Sequence, residues 1–119
     1  MKLHSWNQVE LEPLSETATR RVVHSKRMTT ARIALRKGAV VPRHSHENEQ
    51  ISHVLEGALL FQFDDCEVTA RAGDLVEIPS HEPHRVEALE DSLAMDVFQP
   101  VRQDWIQGDD SYLRNPSGS

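Results

Sequence analysis

The sequence predicts an all-β fold in which short strands form a sandwich or barrel. Three observations predict it. Apolar and polar side chains alternate in several segments, with Ala31, Ile33 and Leu35 on one face of a half-buried strand. Turn residues recur at short intervals, including glycines at positions 38, 57 and 73. Only 5% of the 119 residues are aromatic and 38% are hydrophobic, so the core must rely on aliphatic side chains, which suit strands.

The chain is short enough for one domain, residues 1–119, with a core over about residues 18–106. Its first 17 residues are irregular and predict an arm or an edge strand. The apolar runs on either side of Glu56 and Gly57 predict a β-hairpin with a two-residue turn. Residues 107–119 are polar and rich in Gly, Asp and Ser, which predicts a loosely ordered tail. The predicted strands cover residues 19–36 in two parts, 51–55, 58–63, 67–70, 75–78, 85–88 and 92–98, with a short helical turn at 102–106.

Charge and cysteine content exclude several classes of protein. The net charge of −6 argues against a nucleic-acid or anionic-membrane surface, since both partners require clustered cations. The lone Cys66 cannot form an intramolecular disulfide and fits a reducing cytosol, and we expect it to be a half-buried packing residue. Residues 1–6 do not resemble a secretory signal, and the sequence contains no apolar run of about 18 residues. We therefore expect a soluble, cytoplasmic protein.

Two stretches carry the candidate site. Residues 38–57 hold His44 and His46 two positions apart, and Gln50 follows four positions later. If this segment is extended, the two imidazoles share a face and converge on one metal ion, to which Gln50 adds an amide oxygen. Residues 73–84 have a glycine turn, a short apolar strand, Pro79 and then His84. We expect this stretch to supply the second half of the site.

Together these stretches resemble the two cupin motifs, Gly–x5–His–x–His–x3–Gln–x6–Gly and Gly–x5–Pro–x4–His. The resemblance implies a small cupin, a jelly-roll barrel, with His84 as the fourth metal ligand after His44, His46 and Gln50. Such a set suits one divalent transition metal per chain, nickel or zinc first and iron or manganese as alternatives. Gln50 stands where cupins usually have an acidic ligand, so the site is one unit more positive. That change favours Lewis-acid over redox chemistry.

The segments HSHENEQISHVLEG, GDLVEIPSHEPH and EDSLAMDVFQPVRQDW resemble the KdgF family of pectin-degradation cupins over about residues 18–106. This resemblance implies ring opening and ketonisation of 4,5-unsaturated monouronates from pectin or alginate. It assigns Asp96 to catalysis, Phe98 to substrate binding and Arg102 to both. His53 stands where tyrosine is common in the family, and its strand parity is opposite to that of Gln50, so we expect a wall or supporting role. His81 is expected in a loop.

Ring opening requires a Lewis acid, a proton donor or acceptor at carbon, and a cation for the substrate carboxylate. The metal, Asp96 and Arg102 could supply these. Alternatives remain: Asp96 could be a structural carboxylate, and the chain could be a sugar-acid-binding or metal-binding cupin without catalysis, or a metal-dependent dioxygenase.

If Asp96 and Phe98 face the pocket, the outward apolar row of Leu93, Met95 and Val97 requires cover. A partner sheet or the N-terminal arm could cover this row, and we expect a homodimer that acts on a small molecule.

Overall fold

A computed structural model describes residues 1–114 and confirms the predicted all-β class. Strands account for most of the regular structure, and the helices are single turns. The arm contains a 3-10 turn, Trp6–Gln8, before the first strand. The elements are β1 (Glu12–Pro13), β2 (Ala18–His24), β3 (Thr29–Leu35), β4 (Val40–His44), β5 (Glu49–Glu56), β6 (Ala58–Phe63), β7 (Glu67–Arg71), β8 (Leu75–Ile78), β9 (His84–Ala88), β10 (Ser92–Gln99), α1 (Gln103–Ile106) and α2 (Ser111–Arg114).

The strands form two antiparallel sheets with the core between them. One sheet has the order β1-β2-β3-β10-β5-β8, and the other has the order β4-β9-β6-β7. The neighbouring strands β10 and β5 of the larger sheet come from distant parts of the chain, which is a jelly-roll arrangement. In the four-stranded sheet, His44 ends β4 and His84 begins β9. In the six-stranded sheet, Gln50 lies near the start of β5 and Asp96 in the middle of β10. Functional side chains on these four strands therefore face one another.

The predicted hairpin around Glu56 and Gly57 is wrong. Strands β5 and β6 belong to different sheets and do not pair, so the chain turns a corner between the sheets at Gly57. Gly57 has φ +83°, and a Cβ atom at this position would lie 2.3 Å from Ser92 Oγ and 2.4 Å from Asp91 O. The corner therefore requires glycine because of its backbone conformation and because another loop packs directly against it.

Alternation along β10 positions the site as expected. Its burial alternates, with Ala94, Asp96 and Phe98 on the buried face and the row of Leu93, Met95 and Val97 half-exposed on the other. The interior contains an apolar core and a cluster of polar side chains that share one cavity. The core includes Ala31, Ile33, Val54, Leu59, Phe61 and Ile78.

Two expectations about local order and burial differ from the structure. Within the tail predicted to be loosely ordered, Asp110 and Leu113 are buried against the barrel, while residues 115–119 lie outside the described part. Cys66 is exposed, so its expected packing role is wrong. None of the helices in residues 1–114 has the length and apolar character needed to cross a lipid bilayer.

Candidate metal centre

Three imidazoles converge at the polar end of the barrel. His44 is the last residue of β4 and His84 is the first of β9, and the two are direct partners across the antiparallel pair. His46 lies after the strand, in the turn before β5, so it reaches the site from a turn and not from the extended segment that we expected. The hydrogen bond from the His81 N–H to His46 O, 2.8 Å, holds this turn against the loop before β9. One nitrogen from each of the three rings lies within 4.8 Å of the others.

Backbone carbonyls fix the orientation of all three rings. The Nδ1 atoms of His44, His46 and His84 lie 2.8, 3.0 and 2.8 Å from the carbonyl oxygens of residues 42, 48 and 82. A carbonyl oxygen only accepts, so each Nδ1 carries the proton and each Nε2 presents a lone pair to the site. This arrangement is the one in which histidines hold metal ions in proteins.

Gln50 completes the polar cluster from β5, in the opposite sheet. Its Oε1 atom is 3.1 Å from His46 Nε2, and its Nε2 donates to Ser52 Oγ at 2.9 Å. The hydrogen bond to Ser52 orients the amide so that its oxygen faces the imidazoles. With the His46 proton on Nδ1, two lone-pair acceptors then face each other at 3.1 Å, which is unfavourable unless a cation lies next to both. The donor set therefore fits a divalent transition metal ion.

Burial keeps the imidazoles neutral, as metal binding requires. Desolvation and, to a smaller extent, neighbouring His84 lower the pKa of His44 to about 3. Desolvation and the charge of Arg102 lower the pKa of His46 to about 4. The pKa of His84 is also lowered, chiefly by burial. All three rings are therefore unprotonated at Nε2 near neutral pH.

Asp96 lies on β10, facing the same interior. It is 8% exposed, and its Oδ1 atom has no hydrogen-bond partner within residues 1–114. Desolvation raises the pKa of Asp96 to about 6, although Ser52 and Arg102 oppose the shift. A buried carboxyl group with an unsatisfied oxygen costs free energy. Such a group is a candidate for proton transfer near neutral pH.

Arg102 is buried between two aromatic rings just after β10. Its guanidinium carbon lies 4.7 Å from the centroid of the Phe98 ring and 4.1 Å from that of Trp105, and the residue is 1% exposed. Its Nε and Nη2 atoms donate to the Asp104 carboxylate at 3.0 and 2.8 Å. Nη2 also donates to the Tyr112 hydroxyl at 2.8 Å. The cation predicted for a substrate carboxylate is thus already paired in this conformation.

The site surrounds a small cavity of about 50 Å³. Besides core residues, its walls include His44, Gln50, His84, Asp96, Phe98, Arg102 and Tyr112. The His46 ring lies at the edge of the site and does not line the cavity. His53 points to the outer face, where it pairs with Met95 and Leu75, so the expected wall role is wrong. His81 lies in a loop with φ +68°, as expected.

Several residues that shape the site have no signal in the sequence motifs. Asn48 is buried and donates from Nδ2 to the carbonyl of Pro100 at 2.6 Å, while its own carbonyl accepts from His46. It therefore ties the His46 turn to the segment that carries Arg102. Ser52 could have been found from strand parity, because it shares a face with Gln50. Tyr112, the single tyrosine of the chain, gave no signal because its surroundings in the sequence are polar.

Comparison with known proteins agrees with this architecture. A family model for the cupin domain matches residues 31–98. The solved structure of KdgF from Halomonas is 28% identical, with a TM-score of 0.77 over 83% of this chain and 94% of that chain. An RmlC-like cupin from Shewanella frigidimarina is 25% identical, with a TM-score of 0.82 over 88% and 96%. None of the curated protein sequences matches significantly.

A more distant likeness concerns the fold alone. Oxalate decarboxylase from Bacillus subtilis is 20% identical with a TM-score of 0.75, and the match covers 83% of this chain but only 29% of that one. The converging histidines, the two facing sheets and the match to the family model over more than half of the chain lead to one assignment. The chain belongs to the cupin family, it is similar in structure to KdgF from Halomonas, and three of its histidines could hold a metal ion.

Proposed function

We propose that this protein is an enzyme that opens the ring of 4,5-unsaturated monouronates from pectin or alginate and ketonises the product to the linear 4-deoxy-5-keto-uronate. The observation that carries the proposal is the buried carboxyl group of Asp96, which lacks a partner at Oδ1 and faces the cavity that His44 and His84 line. A purely structural carboxylate would be paired. The similarity to the Halomonas KdgF structure supports the same reaction class.

The overall reaction is an isomerisation, so protons must move but no atoms are gained or lost. The proton on the anomeric hydroxyl leaves, the bond between the anomeric carbon and the ring oxygen breaks, and an aldehyde and an enolate form. The enolate becomes a ketone when the adjacent carbon of the double bond takes up a proton. In our proposal Asp96 accepts the first proton and donates the second, a role that suits a carboxyl group whose pKa is raised to about 6.

The remaining residues bind and orient the substrate. We propose His44, His46, Gln50 and His84 as the ligands of one divalent ion per chain, nickel or zinc first. When bound, such an ion supplies Lewis acidity toward a substrate oxygen. Phe98 forms an apolar wall against the sugar ring. Arg102 lies over the Phe98 ring, where its charge favours binding of the substrate carboxylate.

The direct test is incubation with unsaturated galacturonate, and separately with unsaturated mannuronate or guluronate, each generated by a polysaccharide lyase and followed by NMR. We expect loss of the vinyl proton signal with matching growth of the linear keto-acid. Asp96→Asn is the matched control, since it preserves the shape of the side chain but cannot exchange the proton. We expect it to lose roughly 10² to 10⁴ in rate while it keeps bound metal.

Arg102→Ala separates binding from proton transfer. It removes the charge that faces the substrate carboxylate, so we expect a raised KM and conversion that recovers at high substrate concentration. Conversion at the wild-type rate by folded, metal-loaded Asp96→Asn would exclude the proposed role of Asp96. An absence of conversion by the wild-type protein would exclude the enzyme.

One observation favours a second candidate function, a binding protein for sugar acids. Arg102 is already paired with Asp104, and the cavity is small, about 50 Å³. A small, charge-balanced site suits slow capture of a ligand better than rapid turnover. Tight binding of unsaturated uronate without chemical change would support this candidate over the enzyme.

We also propose a homodimer through the outer face of the six-stranded sheet. Leu93, Met95 and Val97 form a half-exposed apolar row there, and Ile51 and Leu75 on the adjoining strands are 38% and 59% exposed. The N-terminal arm covers another part of this face, where Arg21 donates to the carbonyls of Trp6 and Val9. Sedimentation at micromolar concentration tests the proposal, and a monomeric mass would contradict it.

A further inference from the structure

We propose that Tyr112 is a specificity-determining residue. Its side chain covers the metal site, and its hydroxyl group occupies the position beside Arg102 that the carboxylate of a ligand would take. Residues 110–114 must move away to admit an acidic ligand, and neutral sugars do not displace them. This inference rests on the proposed function as far as the class of ligand is concerned. Its physical basis is the set of contacts that Tyr112 makes.

Tyr112 contacts both halves of the site. Its ring lies 4.6 Å from the His44 ring, measured between centroids. Its hydroxyl oxygen is 2.8 Å from Arg102 Nη2 and 3.1 Å from Trp105 Nε1. Guanidinium and indole nitrogens only donate, so the phenol oxygen accepts both hydrogen bonds. A ligand carboxylate would make the same two contacts, and its charge would make the bond to Arg102 about twice as strong.

The size of the cavity shows that the closed arrangement excludes a sugar acid. One water molecule requires roughly 10 to 15 Å³ of such a cavity, so a volume of about 50 Å³ accommodates about four water molecules. A six-carbon uronate is larger than such a cluster. Tyr112 and Leu113 both line the cavity and belong to the same short helix, α2. Displacement of this helix would therefore open the site without any change in the sheets.

Ionic contacts hold this segment in place. Asp110 accepts from Arg20 Nη2 and from Arg114 Nε, each at 2.9 Å, and Arg114 Nη2 donates to Glu12 at 3.2 Å. Gly108, with φ +80° and open space around its Cα, precedes the segment and is a suitable pivot. The segment is thus attached by a few charged side chains, by the side chain of Leu113 and by the contacts of Tyr112 with His44, Arg102 and Trp105. It can separate from the barrel at lower cost than a strand paired in a sheet.

This arrangement predicts discrimination by charge. An acidic ligand replaces the Tyr112 hydroxyl on Arg102 with a better acceptor, so its binding offsets the cost of opening. A neutral hexose of the same size provides only hydroxyl groups, which are no better than the phenol that they would displace. The differential affinity for the open form therefore depends on the carboxylate.

Because Tyr112 is the single tyrosine, incorporation of 3-fluorotyrosine gives one ¹⁹F resonance that reports on this residue. We expect galacturonate, which is saturated and cannot react, to shift this resonance in the metal-loaded protein. Galactose at the same concentration should leave it unchanged. Binding of both sugars is measured independently by saturation transfer to the ligand protons. Binding of galacturonate without a shift, an equal shift with galactose, or no binding of galacturonate would each overturn the inference.

Variants supply the second test. Tyr112→Phe keeps the ring but removes the competing oxygen, and Asp110→Asn weakens the ionic attachment. We expect each to tighten galacturonate binding and to lower the KM for unsaturated uronate about three- to tenfold. Asp109→Asn is the matched control, because Asp109 is exposed and adjacent to Asp110, and it should leave both quantities unchanged.

The two proposals fail separately. If the wild-type protein converts unsaturated uronate while both variants keep the wild-type KM and affinity for galacturonate, the role of Tyr112 is wrong and the enzyme stands. If no conversion occurs but galacturonate shifts the ¹⁹F resonance and galactose does not, the enzyme is wrong and the role of Tyr112 stands.

Discussion

Replacing Asp96 by asparagine should change how the stability of the metal-free protein depends on pH. The folded state raises the pKa of this carboxyl group from 3.8 to about 6, chiefly by burial. Between these two values the folded protein holds a proton that the unfolded chain has already released. The free energy of unfolding of the wild type therefore falls as pH rises from about 4 to about 6, and the loss persists at higher pH.

The size of this loss follows from the shift. A change of about two pKa units at 1.36 kcal/mol each corresponds to about 3 kcal/mol. The amide of Asp96→Asn does not titrate, so the variant does not lose this free energy of unfolding as the pH rises. Relative to the wild type, the variant should gain about 2.5 kcal/mol between pH 4 and pH 7.5, because the unfolded carboxyl group is already partly ionised at pH 4. Its absolute stability also depends on whether the new amide finds hydrogen-bond partners, but that contribution is the same at both pH values.

Urea unfolding of both proteins at pH 4 and pH 7.5, after removal of metal with a chelator, measures this difference. His44, His46 and His84 also titrate on unfolding, but they do so in both proteins and cancel in the comparison. Comparison within one pair of proteins also removes the general effect of net charge. Parallel stability profiles for the two proteins would show that the buried carboxyl group has an ordinary pKa, and the argument for Asp96 as a proton carrier near neutral pH would lose its basis.

Three further substitutions test the site and the corner between the sheets. His46→Ala should lose bound metal and activity, and a stoichiometric metal content in the purified variant would remove His46 from the proposed ligands. Gln50→Glu should keep metal but turn over more slowly, because a carboxylate neutralises part of the ion's charge; full activity would contradict this. Gly57→Ala should destabilise the protein by more than about 3 kcal/mol in urea unfolding, because its Cβ would overlap the backbone of Asp91. Gly73→Ala, also at positive φ but in open space, is the control and should cost less.

The sequence predicted those parts of the fold that depend on local patterns. The alternation around Ile33 and along β10 identified strands and their buried faces, because the side-chain period of a strand is fixed by backbone geometry. The corner at Gly57 could not be predicted in the same way. Two alternating runs joined by two residues look like a hairpin, and only the loop at Ser92, which packs against Gly57, shows why the second strand joins the other sheet.

The tail shows the same limit for polar residues. Asp110 belongs to a stretch whose composition suggests weak order, but it is buried by ion pairs with Arg20 and Arg114. Arg20 lies 90 positions earlier in the chain, so composition alone could not reveal the partner. The same reason hid Tyr112, whose contacts with His44 and Arg102 depend on the docking of this segment.

Charge within the site explains how a chain with a net charge of −6 can favour an acidic ligand. The three imidazoles are neutral, Gln50 is neutral, and Arg102 and Asp104 balance each other at 2.8 Å. Asp96 is the remaining acid on the cavity wall, and its raised pKa reduces its negative charge near pH 6. A divalent ion held by these side chains would therefore keep most of its charge, and the field in the cavity would be positive although the surface is negative. Because a glutamate in place of Gln50 would cancel part of this field, the amide is the feature of the sequence that most directly connects the proposed metal centre to the proposed carboxylated ligand.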